Sequence, residues 1–177
     1  MLRTIECEAA VFGCDTVDAH PTEKGGAPDP SCILAVPGAD HLLDRIPPER
    51  WGALIGADVE QATEHFLAAA LPLPGVLVPR TPLRTEDYVM AAVGLGADPQ
   101  FCLAIEDSPI GVEAALEVGM KVIGVATAVA AHELAAADMV IPSLLSLRVV
   151  GLHPVLVLEV DALPELGTFV PGSNKRR

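Results

Sequence analysis

The sequence predicts an α/β fold: a three-layer, Rossmann-like core in which helices cover both faces of a mostly parallel sheet. Two observations support this prediction. Short apolar segments of strand length alternate with amphipathic segments of helix length, which is typical of parallel sheets. The clearest unit begins at the apolar segment 103–105. It continues through Glu106, Asp107 and an Ala-rich stretch ending at Gly119, and finishes at the apolar segment 122–125. This unit predicts a strand, an acidic loop, a helix and a second strand.

Apolar segments predict six strands in the core. They lie at 9–12, 51–55, 76–78, 103–105, 122–125 and 139–141. Helices are predicted where apolar residues recur at three- and four-residue spacing. These segments are 37–46, 59–70, 85–93, 110–119 and, as a short helix, 132–137. Asp58 and Thr85 are the predicted N-caps of the second and third helices, because their side-chain oxygens can accept from free N–H groups.

Three other segments complete the predicted organisation. Residues 20–30 contain three prolines and two glycines and are predicted to form an irregular loop. Residues 153–160 predict an additional strand to which the sequence assigns no neighbour, and the polar segment 172–177 predicts a frayed tail. We therefore expect a core domain at 1–151, followed by an extra strand and tail at 152–177.

Composition narrows the range of functions. The chain has 177 residues, enough for one domain with a substantial core, and only 3% are aromatic, so that core should be aliphatic. A net charge of −13 argues against binding to nucleic acid or to an anionic membrane surface. No apolar run approaches the ~20 residues that span a bilayer, and the first residues lack the pattern of a signal peptide. A cytoplasmic location is the resulting expectation.

The cysteines do not indicate a zinc site or a disulfide framework. They are widely spaced and form no Cys-x-x-Cys pair. The four residues are Cys7, Cys14, Cys32 and Cys102. Cys102 opens an apolar strand and is predicted to be a core residue.

Glu106 and Asp107 are the first candidate functional residues. They follow a buried strand at the edge where open α/β sheets bind their ligands. Adjacent carboxylates suit a hard divalent cation such as magnesium. The alternative is that Asp107 caps the following helix and that both carboxylates are solvated.

The segment from Ile105 to Met120 resembles the fourth motif of the haloacid dehalogenase (HAD) superfamily, and within it the small phosphatases related to β-phosphoglucomutase. The resemblance implies four motifs at the carboxyl ends of strands, with Glu106 and Asp107 as magnesium ligands. In the first motif of this family, a leading Asp attacks phosphorus and binds magnesium, and an Asp two residues later protonates the leaving group. Here Gly13 stands at the nucleophile position and Asp15 at the acid/base position, while Asp18 matches a later acidic residue.

The second and third motifs of the family also differ here. The second motif supplies a Ser or Thr hydroxyl to phosphate, but the stretch 54–57 has none. This leaves the backbone N–H groups at Gly56 and Ala57 as a weak substitute. The third motif supplies a Lys, but Thr81-Pro82 stands in the Lys-Pro place. Arg80 or Arg84 could provide the positive charge, although Arg does not reproduce Lys where geometry is tight. The alternative is that both arginines are surface residues.

The helical cap of these relatives is missing in the sequence. Only about twenty residues, 17–36, separate the first motif from the next helix, and most of them lie in the loop rich in Pro and Gly. Water exclusion and substrate selection would then need another source.

Three functional hypotheses follow. The first is a degenerate, capless HAD-like protein without turnover, which binds a phosphorylated small molecule or a protein partner. The second is a weakly active magnesium-dependent phosphohydrolase on a small phosphorylated metabolite. It would use Asp15 as acid or base, Glu106 and Asp107 as metal ligands, and Gly56, Arg80 and Arg84 at the phosphate. The third is a domain that only assembles, as a homodimer paired through an exposed edge of the strand at 155–160.

Overall fold

The computed structural model describes residues 1–13, 16–19, 34–56, 58–79 and 84–164. Several sequence predictions fall outside these ranges. They concern Asp15, the loop 20–30, Ala57, Arg80, Thr81-Pro82 and the tail 172–177.

Strands and helices alternate along the described chain, as the sequence predicts. The strands are β1 (Leu2–Cys7), β2 (Ala9–Phe12), β3 (Asp18–Ala19), β4 (Leu34–Ala35), β5 (Trp51–Ile55), β6 (Val76–Pro79), β7 (Cys102–Glu106), β8 (Lys121–Val125), β9 (Met139–Ile141), β10 (Leu147–Gly151) and β11 (Leu156–Asp161). The α-helices are α1 (Ala39–Leu43), α2 (Val59–Ala68), α3 (Thr85–Gly94) and α4 (Pro109–Glu117).

Six strands form a parallel sheet in the order β6-β5-β2-β7-β8-β9. These are the six core strands that the sequence predicts. Numbered along the chain they run 3-2-1-4-5-6, the order of a doubly wound sheet. The chain reverses its direction of winding between β2 and β7, where Phe12 pairs with Ile105. The α/β prediction is confirmed, and the switch point between these two strands becomes the expected ligand edge.

The sheet is buried on both faces. All residues of β2, β5 and β7 are buried. Alternate residues of β2 enter two different apolar clusters, with Val11 on one side and Phe12 on the other. The Phe12 ring meets Trp51 edge to face at 5.7 Å between centroids, which gives one side of a mainly aliphatic core its aromatic centre. Strands enclosed in this way read as continuous apolar runs, and for that reason they were predictable.

The helices agree with the predictions except at several ends. Asp58 caps α2, where its carboxylate accepts from the Gln61 N–H at 2.9 Å. Thr85 is not a cap: α3 has Arg84 at the N-cap position, and the Asp87 side chain accepts from the Arg84 backbone N–H at 2.8 Å. Because Asp87 satisfies that terminus from inside the helix, a hydroxyl at its first residue is not needed.

Two predicted helices are shorter than expected. The first covers only Ala39–Leu43 instead of 37–46, and the chain passes through Pro47 and Pro48 into a 3₁₀ turn. The predicted helix at 132–137 is a 3₁₀ turn at Ala131–Leu134. Pro47 and Pro48 explain why the first helix does not continue, because proline has no backbone N–H to donate to a further helical turn.

A second, antiparallel sheet joins the two ends of the described chain. Its order is β1-β11-β10, so β11 is the middle strand and has a hydrogen-bonded neighbour on each side. The extra strand of the sequence analysis is therefore not an exposed edge, and the hypothesis of a dimer built on that edge is wrong. Strands β1 and β10 were not predicted, although β1 alternates exposed residues with buried Ile5 and Cys7. No helix within the described ranges is both long and apolar enough to cross a membrane.

Strand β11, in the middle of the antiparallel sheet, contributes buried side chains to the core. Truncating one of these side chains tests this placement. Leu158 is fully buried, so Leu158→Ala should lower the free energy of unfolding by about 2–5 kcal/mol. The control is Val150→Ala on the neighbouring strand. Its side chain is 56% exposed, so the change should stay within about 0.5 kcal/mol. Urea denaturation measures both, and equal effects would contradict the placement of β11.

Cys7, the last residue of β1, and Cys102, the first residue of β7, are buried and form no disulfide. Burial raises the pKa of Cys7 from 9.0 to about 12 and that of Cys102 from 9.0 to about 11. The prediction of Cys102 as a core residue is confirmed. Both thiols carry their protons well above the pH at which an exposed cysteine ionises.

Alkylation by iodoacetamide at pH 9 should therefore distinguish the native from the unfolded chain. We expect Cys7 and Cys102 to react at least about tenfold more slowly in native protein, because the thiolate is the nucleophile and little of it forms. Peptide mass spectrometry reads each site separately, with guanidinium-unfolded protein as the reference. Equal native and unfolded rates would show that these thiols are accessible and ionised.

Candidate functional site

The candidate site lies at the switch point of the parallel sheet. Glu106 is the last residue of β7, and Gly13 directly follows the neighbouring strand β2. The Gly13 N–H donates to the Ile105 carbonyl oxygen at 2.8 Å, which continues the pairing of the two strands by one residue. The first and fourth motifs of the sequence analysis are therefore side by side.

The Glu106 side chain lies where a side chain at position 13 would extend. A Cβ atom built on Gly13 would overlap Oε1, Cδ and Oε2 of Glu106. A Cβ atom built on Gly111, in the first turn of α4, would overlap the same carboxylate and lie 2.9 Å from Ser108 Oγ. The carboxylate thus fits between two glycines, where any other residue would collide with it.

Tyr88 completes the surroundings of this carboxylate. Its hydroxyl donates to Glu106 Oε1 at 2.5 Å and lies 3.1 Å from the Gly111 carbonyl oxygen. Tyr88 comes from α3, so one hydroxyl links α3 to the end of β7 and the start of α4. Both Tyr88 and Glu106 are 0% exposed. Tyr88, the only tyrosine of the chain, was missed by the sequence analysis because its type and helical position equally suit a core residue.

The acidic pair is buried rather than solvated. Glu106 is 0% exposed and Asp107 is 8% exposed. The cap of α4 is Ser108, whose hydroxyl oxygen accepts from the Gly111 N–H at 3.1 Å. The alternative in which Asp107 caps this helix and both carboxylates are solvated is therefore wrong.

Thr16 lies close to the end of β2. The buried Thr16 hydroxyl donates to the Gly13 carbonyl oxygen at 2.7 Å. Further on, β3 pairs with β4 as a small antiparallel ladder. Thr16 is not predictable as a site residue from the sequence, since a single threonine carries no periodic signal.

The other predicted site residues lie farther along the same edge. Gly56 is exposed directly after β5, and Arg84 is exposed at the start of α3. Asp18 belongs to β3. Asp15 and Arg80 lie outside the described ranges, so the structure brings together only Gly13, Glu106 and Asp107 of the predicted set.

The described residues do not fit a magnesium site as they are arranged. Within the described ranges, no three His, Cys, Asp or Glu side chains come together as a group that could hold a metal ion. The Glu106 carboxylate is enclosed by Gly13, Gly111 and Tyr88, and a hard cation needs oxygen ligands together with room for water.

Comparison with known proteins gives one match in sequence and several in fold. No family model matches the chain. Over 119 residues the chain is 31% identical to hexitol phosphatase A of Escherichia coli, a match that covers 63% of this chain and 55% of that protein. The chain thus spans about half the length of that relative.

Solved structures share the fold at lower identity. A HAD family hydrolase from Deinococcus radiodurans, whose structure holds phosphate and sodium, superposes with a TM-score of 0.64 at 17% identity, over 78% of this chain and 92% of that one. A β-phosphoglucomutase from Clostridium difficile superposes with a TM-score of 0.51 at 22% identity, over 62% and 51% of the two chains. At these identities the likeness shows a common fold.

Fold, site position and the sequence match agree with the family resemblance of residues 105–120. The chain is similar in sequence to a hexitol phosphatase, and it shares its fold with a haloacid dehalogenase family hydrolase and a β-phosphoglucomutase.

Removing the Tyr88 hydroxyl tests the hydrogen bond at the centre of the site. Tyr88→Phe should lower the free energy of unfolding by about 1–3 kcal/mol, because a buried carboxylate loses a donor. The control, Thr63→Ala, removes a hydroxyl whose exposed hydrogen bond goes to the Val59 carbonyl oxygen one turn earlier, and should change stability little. Chemical denaturation measures both, and an unchanged Tyr88→Phe protein would show that the contact contributes nothing.

Proposed function

We propose that this protein is a non-catalytic member of its superfamily, a pseudo-phosphatase that acts by binding. The observation that carries the proposal is Gly13 at the end of β2. The family's nucleophile stands at the switch point of the sheet, and here that position has no side chain.

Covalent catalysis by a carboxylate requires that carboxylate. Glu106 is near the position, but its carboxylate is buried and accepts a hydrogen bond from Tyr88, which supports the proposal that it does not act as the nucleophile. The hydroxyl of the second motif and the lysine of the third motif are absent from the sequence as well. Loss of one preorganised electrostatic donor can already cost about 10²–10³ in rate. Several losses at one site favour a protein without turnover.

The edge that would carry the reaction has features of a binding face. Val59 and Ile110 are 46% and 68% exposed in the first turns of α2 and α4, which follow strands of the sheet at this edge. Leu34 is 66% exposed in the small ladder after β2. In the sequence, only about twenty residues, 17–36, separate the first motif from the next helix, which supports the proposal that the family's helical cap is missing. Apolar side chains left open in this way suit a partner surface.

The ligand would be a phosphorylated small molecule or a protein partner. Arg84 and the backbone at Gly56 are the groups that we propose to hold a phosphate, and the exposure of both supports this. Titration calorimetry with inorganic phosphate can separate the two, with Arg84→Ala as the test and Lys121→Ala, at the opposite end of the sheet, as the matched control. A heat of phosphate binding that is present in the wild type and in Lys121→Ala but lost in Arg84→Ala favours the phosphorylated ligand. The absence of a heat of binding in all three proteins favours the protein partner.

A weakly active magnesium-dependent phosphohydrolase is the second candidate. The sequence match to hexitol phosphatase A favours it. Asp15 would act as acid or base, and Glu106 and Asp107 would have to bind magnesium after Glu106 leaves its enclosed position.

Phosphate release separates the two candidates. With magnesium and either p-nitrophenyl phosphate or hexitol phosphates, we expect no turnover by the wild type and no change in Asp15→Asn, because the nucleophile is missing. Magnesium-dependent turnover that disappears in Asp107→Asn would overturn the proposal. Activity that rises sharply in Gly13→Asp would instead favour the second candidate.

A further inference from the structure

We propose that Glu106 is a packed replacement for the side chain missing at position 13, and not a ligand for a divalent cation. Its carboxylate fills a slot formed by Gly13, Gly111 and Tyr88, which we call the Glu106 slot. The inference concerns packing and cation binding, and its stability test gives a result whether or not the protein hydrolyses a phosphoester.

Overlap on two sides defines the slot. The Cβ atom built on Gly13 comes nearest to Oε1, whereas that built on Gly111 comes nearest to Oε2. The two glycines therefore approach the carboxylate at different oxygens, and Cδ lies within reach of both. A carboxylate between two such neighbours cannot shift away from one without approaching the other.

The glycines themselves support this interpretation. Gly111 lies inside α4, where glycine is a poor choice for helix stability. Neither Gly13 nor Gly111 has the positive φ that calls for glycine, so backbone conformation does not explain them. The position of the Glu106 carboxylate explains both at once.

Tyr88 fixes the third side of the slot. Its hydroxyl donates to Oε1, the oxygen that lies nearest to position 13. The hydrogen bond thus holds the carboxylate in the space of the absent side chain. The missing side chain at position 13 and the inward orientation of Glu106 therefore depend on each other, because the Glu106 carboxylate occupies the space that is left.

The arrangement disagrees with the metal site that the family resemblance implies. A cation ligand must present its oxygens to a space that also holds water and other ligands. Glu106 presents one oxygen to Tyr88 and has a glycine against each oxygen, with no exposed surface. The chemistry of this residue is therefore that of a core polar contact.

Two double-mutant cycles test the proposal. Gly13→Ala and Gly111→Ala should each lower Tm by roughly 3–10 °C in the wild type, because each added methyl group overlaps the carboxylate. In a Glu106→Ala background, the same changes should leave Tm unchanged or raise it, since the methyl group enters vacated space. If a single variant does not fold, recovery of folded protein in its double variant is the same supporting result.

A matched control shows that the coupling is specific. Gly94→Ala also inserts a methyl group into a close contact, but its neighbour is Val76 Cγ2 at 2.9 Å and not Glu106. Its effect on Tm should be equal in the two backgrounds. Gly13→Ala and Gly111→Ala effects that are equally insensitive to the Glu106 background would overturn the proposal, as would the absence of any effect in the wild type.

Cation binding is the second, independent readout. Millimolar magnesium should leave the Tm of the wild type unchanged, since a ligand that binds the native state raises Tm and none is expected to bind. Glu106→Gln, which keeps the shape of the side chain, should behave likewise. A magnesium-dependent rise of Tm in the wild type that Glu106→Gln abolishes would make Glu106 a cation ligand and refute the proposal.

Discussion

One buried carboxylate, that of Glu106, organises the carboxyl edge of the sheet. It ends the central strand β7, receives the Tyr88 hydroxyl from α3 and touches the first turn of α4 at Gly111. Burial of such a group without partners would be costly, so its hydrogen bonds and close contacts must form together. The neighbouring elements are consequently positioned relative to each other through this side chain. The space at position 13, where the family carries its reactive acid, is filled as a result.

The fold is compatible with the departures from the family motifs that we propose, because fold and motifs depend on different residues. The core depends on strands such as β5 and β7, which are buried along their whole length, and on helices that cover both faces. Gly13 and Gly56, which the resemblance aligns with motif positions, come directly after strands. Neither contributes an apolar side chain to the core, so the architecture depends on other residues. Fold and function therefore have to be inferred from separate observations.

The antiparallel sheet shows the limit of local patterns. The strand near 155–160 was predicted, but its neighbours were not, because β1 lies more than 140 residues earlier in the chain. Pairing between such distant segments leaves no short-range trace in a single sequence. The same holds for the start of α3, where the choice of Arg84 over Thr85 as N-cap depends on the Asp87 side chain turning back. Local sequence rules predicted Thr85 as the N-cap, whereas the structure has Arg84 at that position.

The sequence by itself determined the alternation of six core strands with helices and the family resemblance at residues 105–120. It also has a glycine at position 13, which that resemblance aligns with the family's nucleophile. These features depend on residue type and spacing. They can be read from the sequence because buried parallel strands appear there as continuous apolar runs. Only the tertiary structure decided the orientation of Glu106 and the role of Tyr88 and Gly111 around it. A side chain's direction depends on the space that neighbouring elements leave. Here that space is created by two glycines and a tyrosine from three different parts of the chain.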